Sequence, residues 1–148
     1  MVDRDLVVPR YLNQLMDIVK SYEMYIRSNI KDLDITMGEV PILLAIYDDE
    51  GLNQIDLVKK FHVTEANISK TTKHLLQKGF IIKEIDSDNN TKKLLYVTES
   101  GEEICKELIE FYEVWKNEII SDVPNENLSI FSQVLDTFTN NSQKYFEK

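Results

Sequence analysis

The spacing of hydrophobic residues along the chain predicts a mainly α-helical protein with one small β-hairpin. Two long segments, over about 9–31 and 98–121, carry hydrophobic residues on more than one helical face. Such a helix has to be covered on more than one face, and a small domain cannot provide all of that cover. Pro124 separates the second segment from a last predicted helix that starts at Asn125. We therefore expect the ends of the chain to pack against a second subunit.

The central part of the chain has the order helix, helix, tight turn, helix and hairpin, which is typical of a winged helix-turn-helix. Thr36 and Glu39 have the spacing of a capping box at the start of the first of these helices. Asn53 can cap the second helix, and we expect its hydrophobic residues to be buried, namely Ile55, Leu57, Val58 and Phe61.

The third of these helices and the hairpin after it have clear ends. Thr64 is a good N-cap residue, and Gly79 stands where a left-handed residue can end the helix. Residues 80–85 and 92–97 have the composition of β-strands, and the Ser-Asp-Asn-Asn sequence at 87–90 favours a turn. The hairpin is therefore predicted to have a polar tip, as a wing does.

The helix between Thr64 and Gly79 has two different faces. Ile68, Leu75 and Leu76 form a hydrophobic stripe. A polar row lies mostly elsewhere on the helix and offers amide, hydroxyl and ammonium groups, which suit base edges and phosphates. Its residues are Asn67, Ser69, Lys70, Lys73, His74 and Gln77. A solvated helix face has a similar composition, so the pattern alone leaves both interpretations open.

Charge favours the interpretation as a nucleic-acid surface. The whole chain has a formal charge of −9, whereas residues 54–83 contain six lysines and only two acidic residues. A basic segment on an acidic protein is a better indication of nucleic-acid binding than the overall isoelectric point. We expect Asn67, Ser69 and Lys70 to contact bases or lie near them. We expect phosphate contacts from Lys73, Asn53, Gln54 and Lys92. The predicted DNA-binding set is Asn53, Gln54, Thr64, Asn67, Ser69, Lys70, Lys73, His74, Asn89, Asn90, Lys92 and Lys93.

Composition and motifs exclude several other classes of protein. No apolar run approaches the roughly 20 residues that a membrane span needs, and the first residues lack the pattern of a signal peptide. One cysteine excludes an intrachain disulfide, so we expect a soluble cytoplasmic protein. A phosphate-binding loop, a nucleophile elbow and a metal motif are all missing from the sequence. We therefore predict that the chain is not an enzyme and uses no cofactor or metal.

Sensing chemistry has few candidate residues. Cys105 can be interpreted as a redox sensor, but a small buried residue on an apolar helix face is the simpler interpretation. His62 and His74 lack the spacing of metal ligands. Several aromatic residues are candidates for an effector pocket, although aromatics at helical spacing belong more often to a core or a dimer interface. The main pocket candidates are Tyr22, Tyr25, Phe111 and Trp115, and the two further aromatic candidates are Tyr11 and Tyr112.

In its ordered set of short motifs, the sequence resembles the MarR family of winged helix-turn-helix transcriptional regulators. The most specific part is the spacing from Gly79 to Val97-Thr98 and Gly101. The other matching positions are Ile35-Thr36, Leu52-Asn53-Gln54, Leu57, Val63-Thr64, Ile68-Ser69, Leu75 and Lys78 to Ile81. The long helices at both ends agree as well, so the resemblance covers almost the whole chain.

The resemblance implies an obligate homodimer with interleaved terminal helices, a recognition helix in the major groove and a wing that reaches toward the minor groove. Many members of the family also bind a small, often phenolic, ligand between the dimerisation lobe and the DNA-binding lobe. In one respect the sequence departs from the family. The wing often carries an Asp-x-Arg pair, and those positions hold Asn89 and Thr91 here. Lys92 and Lys93 stand beside them, but lysine lacks the planar fork of arginine, so we expect phosphate contacts from this wing.

The sequence therefore predicts a homodimeric, sequence-specific DNA-binding transcriptional regulator. We expect a repressor that binds a pseudo-palindromic operator and is relieved by a small-molecule ligand, for which an aromatic compound is the candidate. One alternative is a winged-helix module that has lost DNA binding and binds proteins, and a metal- or redox-sensing regulator is another. The predicted lobes are a winged helix-turn-helix over 36–98 and a discontinuous dimerisation lobe over 1–35 and 99–148.

Overall fold

The structure, a computed structural model, describes residues 8–145 and confirms a mainly helical chain with one hairpin. Among these residues no helix is long and apolar enough to cross a lipid bilayer. The elements in chain order are α1 (Arg10–Asn29), α2 (Val40–Asp48), α3 (Gln54–Phe61), α4 (Glu65–Gln77), β1 (Ile81–Ile85), β2 (Lys93–Val97), α5 (Glu99–Ile119) and α6 (Asn125–Gln143).

Local hydrogen bonds fix where the central helices begin. Asn53 and Asp56 form a reciprocal capping box, in which each side chain accepts a bond from the other's backbone N–H, at 2.8 and 3.1 Å. The hydroxyl of Thr64 accepts from the backbone N–H of Asn67 at 3.1 Å and caps α4. Between these helices His62 adopts a left-handed conformation with φ 52°, which makes the turn between them tight. The two predicted caps are therefore confirmed.

The first helix of the motif starts slightly later than its capping box suggests. Glu39 Oε1 accepts from the backbone N–H of Thr36 at 3.0 Å, as expected. The α-helix itself begins at Val40, and Pro41 lies in its first turn, where its missing N–H removes no helical bond.

The hairpin is antiparallel, with Ile81 paired to Val97 and Ile85 paired to Lys93. A single bridge between Leu52 and Leu95 ties the segment before α3 to the centre of the hairpin. At the tip, the backbone N–H of Asp86 donates to the Lys92 carbonyl oxygen at 2.8 Å.

Most of the core lies where the central helices meet the hairpin, and it draws on parts of α1 and α5. Ile26 and Ile30 come from the end of α1, and Cys105 and Leu108 come from α5. On α3 Leu57 is fully buried, and Val58 and Phe61 pack partly against the core. The expectation that Ile55 is buried was wrong, because its side chain is 60% exposed. It precedes Leu57 by two residues, about 200° around the helix, and so faces the other way.

The structure forms two compact units, which among the described residues are 8–115 and 116–145. In the second unit, α6 has no buried residue. The division into lobes 36–98 and 1–35 with 99–148 stays a prediction.

The junction between α4, the hairpin and α5 is closely packed. Gly79 ends the α4 turn with φ +76°, and its carbonyl oxygen accepts from the hydroxyls of Thr98 and Ser100. The backbone N–H of Thr98 donates to the Phe80 carbonyl oxygen at 3.0 Å. A Cβ atom on Gly101 would lie 2.0 Å from that same oxygen, so only glycine fits there.

Substituting Gly101→Ala should lower the free energy of unfolding by about 3 kcal/mol, because the new methyl group collides with backbone rather than with a movable side chain. Urea denaturation followed by circular dichroism measures this change. Gly38→Ala is the matched control, since a Cβ there meets nothing within 4 Å. Equal stability of the two variants would contradict the close approach of α5 to Phe80.

Candidate nucleic-acid interface

The polar row predicted on α4 lies on its exposed side. Ile68, Thr72 and Leu75 are buried on the opposite side of the helix. The predicted DNA-contacting residues of this helix are all exposed, namely Asn67, Ser69, Lys70, Lys73 and His74. Leu76 is only partly buried, at the edge of the hydrophobic stripe. The helix can thus present amide, hydroxyl and ammonium groups on one continuous face.

The start of α3 is tied directly to α4. The side-chain amide of Gln54 donates to the hydroxyl of Thr72 at 3.1 Å, and that hydroxyl donates to the carbonyl oxygen of Ile68 at 2.9 Å. Asn53 uses its side-chain oxygen in the capping box. Both Asn53 and Gln54 therefore have structural bonds, and their contacts with DNA phosphates stay predictions.

The wing tip places its polar residues at the surface. Asn89, Asn90, Lys92 and Lys93 are all exposed. The side-chain oxygen of Asn89 accepts from the hydroxyl and the backbone N–H of Thr91, at 2.7 and 3.2 Å. Asn89 and Thr91 thus bond to each other within the turn.

A groove of about 310 Å³ connects the start of α3 to the hairpin. It brings four residues of the predicted DNA-binding set together, from two separate parts of the sequence. Its lining residues are Asn53, Gln54, Ile55, Glu65, Lys83, Thr91, Lys92 and Lys93. Three of these are lysines, which outnumber the single acid Glu65. The groove is therefore a site where an anion is favoured.

Sequence reasoning missed Lys83 as a site residue. In the hairpin register, Lys83 pairs with Leu95 and Ile85 pairs with Lys93, so Lys83 and Lys93 are diagonal neighbours on one face. The signal was present in the alternation of strand residues, because Lys83 interrupts the hydrophobic side of β1 between Ile81 and Ile85. In the structure Lys83 is exposed and lines the groove together with Lys93.

A second, apolar cavity of about 200 Å³ lies in the same unit. Its lining residues are Tyr22, Ile26, Val40, Leu44, Leu108, Ile109 and Tyr112. The ring of Trp115 packs against Tyr22 and Tyr112, with centroids 5.2 and 6.4 Å away. Burial raises the pKa of Tyr22, and the nearby Tyr112 raises it further.

Three of the six aromatic candidates are associated with this cavity. Tyr22 lines it, and Trp115 packs behind the lining. Tyr25 and Phe111 are partly buried against the core instead and do not line it. Tyr112, on α5 one turn from Trp115, also lines the cavity. Tyr11 is exposed on α1 and does not line it.

The candidate sensing residues lack the environment that sensing needs. Cys105 is fully buried, and burial together with the charge of Glu102 raises the pKa of its thiol to about 11. Because the thiolate is the reactive form, this environment disfavours oxidation. Within residues 8–145, no group of three or more His, Cys, Asp and Glu side chains is placed to hold a metal ion.

The chain is similar in sequence and in fold to known transcriptional regulators. A sequence model of the MarR family matches residues 35–92. The uncharacterized HTH-type transcriptional regulator YybA of Bacillus subtilis is 30% identical over 93 residues, which cover 63% of this chain and 62% of YybA. The crystal structure of MarR matches with a TM-score of 0.76 and 27% identity, and covers 97% of this chain and 96% of that one. A putative MarR family regulator from Listeria monocytogenes, crystallised with a 26-mer DNA, has a TM-score of 0.81 at 22% identity and covers 88% of this chain and 87% of its own.

The capped helix pair, the tight turn at His62 and the paired hairpin define a winged helix-turn-helix protein. Within that class, residues 35–92 match the MarR family model, and the chain as a whole is similar to the crystal structure of MarR. The relatives and structural neighbours named above are transcriptional regulators, in agreement with the prediction that the chain is not an enzyme.

Proposed function

We propose that this protein is a homodimeric transcriptional regulator that binds double-stranded DNA in a sequence-specific manner. The observation that carries this proposal is the exposed polar face of α4, which lies in the same unit as a groove lined by three lysines. Both features belong to a chain with a net charge of −9, so the basic residues are concentrated where DNA would bind. The Listeria neighbour crystallised with DNA supports the same interpretation.

In this proposal α4 enters the major groove. Asn67, Ser69 and Lys70, near its start, are the residues that contact base edges, since amide and ammonium groups can read adenine and guanine there. Lys73, one turn further along, contacts a phosphate. The groove lysines hold the adjacent backbone as point charges, and they fix the protein on the duplex without reading sequence.

The proposed dimer uses helices whose apolar residues are exposed in the single chain. On α1 these residues are Tyr11, Leu12, Met16, Ile18, Val19 and Met24, and on α6 they are Ile130, Phe131, Val134 and Phe138. Proteins rarely leave large contiguous apolar surfaces in contact with water, so these residues are candidates for a subunit contact. A two-fold dimer places two copies of α4 about one helical turn of DNA apart, roughly 34 Å, and so fits a pseudo-palindromic operator.

The proposed regulation is repression that a small ligand relieves. The cavity beside Tyr22 and Tyr112 supports this part, because its lining is apolar and aromatic and its volume of about 200 Å³ suits a single-ring compound. A second candidate function is a winged-helix module that binds proteins instead of DNA. The acidic net charge favours this second function, and so does the wing, which has threonine instead of arginine at position 91.

Substituting Lys73→Ala or Lys83→Ala should weaken binding to all duplexes, because each variant loses a sequence-independent phosphate contact. Each should also lower the slope of log affinity against log salt by about one. Fluorescence anisotropy measures both effects, with DNA from the protein's own upstream region and a random duplex. Lys106→Ala is the control, since this exposed lysine lies on α5 and pairs with Glu102. An unchanged salt slope in Lys83→Ala would exclude the groove from the DNA interface. If the unmodified protein binds no DNA at low salt, the protein-binding module is favoured instead.

Substituting Phe131→Glu should dissociate the dimer, because a carboxylate would be buried without a partner at the subunit contact. We expect the dissociation constant to rise at least about 100-fold, as measured by sedimentation. Gln133→Glu adds the same charge at an exposed polar position of α6 and should leave the dimer intact. A dimer that survives Phe131→Glu would exclude this face of α6 from the contact.

Titration with simple phenols should change the fluorescence of Trp115, the only tryptophan, since its ring packs against two tyrosines of the cavity. Ile109→Phe should abolish the saturable change, because the larger side chain fills part of the cavity. Val114→Phe, at an exposed position of the same helix, is the control. Equal binding by both variants would place the ligand elsewhere.

A further inference from the structure

The end of α4 is held by an ion pair whose carboxylate is buried. Lys78, the C-cap residue of α4, places its Nζ 2.7 Å from Oε1 of Glu39, which immediately precedes α2. Glu39 is only 3% exposed, and the Lys78 side chain is 21% exposed. The pair therefore joins two helices of the winged helix-turn-helix across 39 residues of sequence.

Only one oxygen of the Glu39 carboxylate accepts hydrogen bonds from the described residues. Its Oε1 also accepts from the backbone N–H of Thr36, whereas Oε2 is buried and accepts no hydrogen bond from the described residues. Burial raises the pKa of Glu39, but the hydrogen bonds from Lys78 and Thr36 outweigh it, so the pKa lies below its usual value. Glu39 is thus charged at neutral pH. Asp34, 3.7 Å from Lys78, is mostly exposed and contributes little by comparison.

The position of this pair matters because it lies at the opposite end of α4 from the proposed base contacts. The helix has 13 residues and is about 20 Å long. Its proposed base contacts, Asn67 to Lys70, lie toward one end and the ion pair holds the other. A tilt at Lys78 changes the angle at which those side chains meet the base edges, and hydrogen bonds to bases tolerate only small changes in distance and angle.

We propose that Glu39 and Lys78 are positioning residues for DNA recognition. Their ion pair sets the orientation of α4 in the major groove, and neither side chain has to contact a base. This inference rests on the proposed function. It also differs from the simple alternative in which Lys78 contacts a phosphate directly, and the two ideas predict opposite effects for one substitution.

That substitution is Glu39→Gln. It removes a negative charge from the DNA-binding lobe, so charge alone would strengthen binding to every duplex. Loss of the ion pair instead releases the end of α4 and weakens binding only where bases are read. The sign of the change in affinity for a preferred sequence therefore separates the two ideas.

The experiment begins with duplexes that the unmodified protein enriches from a random pool. Dissociation constants are then measured for one enriched duplex and one random duplex, with the unmodified protein, Glu39→Gln, Lys78→Met and the double variant. We expect Glu39→Gln to bind the enriched duplex about tenfold more weakly and the random duplex no more weakly than before. The double variant should bind the enriched duplex no more weakly than whichever single variant binds it more weakly, because both substitutions break the same pair.

Two controls exclude simpler explanations. Glu102→Gln and Lys106→Met break an exposed pair on α5 with N–O distance 3.0 Å, and they should leave the ratio of the two affinities unchanged. Lys78→Arg keeps the charge and should retain most of that ratio. Partial unfolding lowers the active fraction equally for both duplexes, so it cannot change the ratio, and circular dichroism gives the folded fraction at the assay temperature.

An unchanged ratio in Glu39→Gln, or tighter binding to both duplexes, would overturn the positioning role and leave the proposed function standing. If the unmodified protein enriches no sequence at all, the proposed function fails and this inference fails with it.

Discussion

The polar face of α4 is available because the opposite side of the same helix is completely buried. Ile68, Thr72 and Leu75 are between 0% and 1% exposed, so the helix has only one rotation that removes this stripe from water. The hydroxyl of Thr72 needs partners in such a place, and it has them in Gln54 and the Ile68 carbonyl oxygen. Apolar burial therefore decides which face is presented, and hydrogen bonding decides how α3 and α4 meet.

The same helix is held at its far end by groups from distant parts of the chain. Lys78 reaches Glu39 before α2, and the carbonyl oxygen of Gly79 accepts from Thr98 and Ser100 before and within α5. The close approach of Gly101 to Phe80 leaves little room for movement at this junction. Because buried polar contacts are directional, they restrict the tilt of α4 more than hydrophobic packing alone would.

Local features of the sequence were enough to predict the elements but not the contacts between them. The caps at Asn53 and Thr64 and the left-handed Gly79 depend on neighbouring residues, so they were predictable. Ile55 was placed wrongly because α3 has only 8 residues, too few for hydrophobic spacing to define one face. The pair of Glu39 with Lys78 depends on contacts across the fold, which no local pattern contains. The alternation in β1 marked Lys83 as unusual, but its position beside Lys93 depends on the strand register.

The chemistry of the wing makes the orientation of α4 more important in the proposed function. Lys83, Lys92 and Lys93 line the groove as point charges, and the position that often holds arginine in the family is Thr91. Lysine contacts with phosphates increase affinity for any sequence alike. Discrimination between sequences then has to come from α4, where a small change in helix angle alters every base contact at once. A buried ion pair that fixes this angle is consistent with a protein whose wing supplies attraction and whose recognition helix supplies specificity.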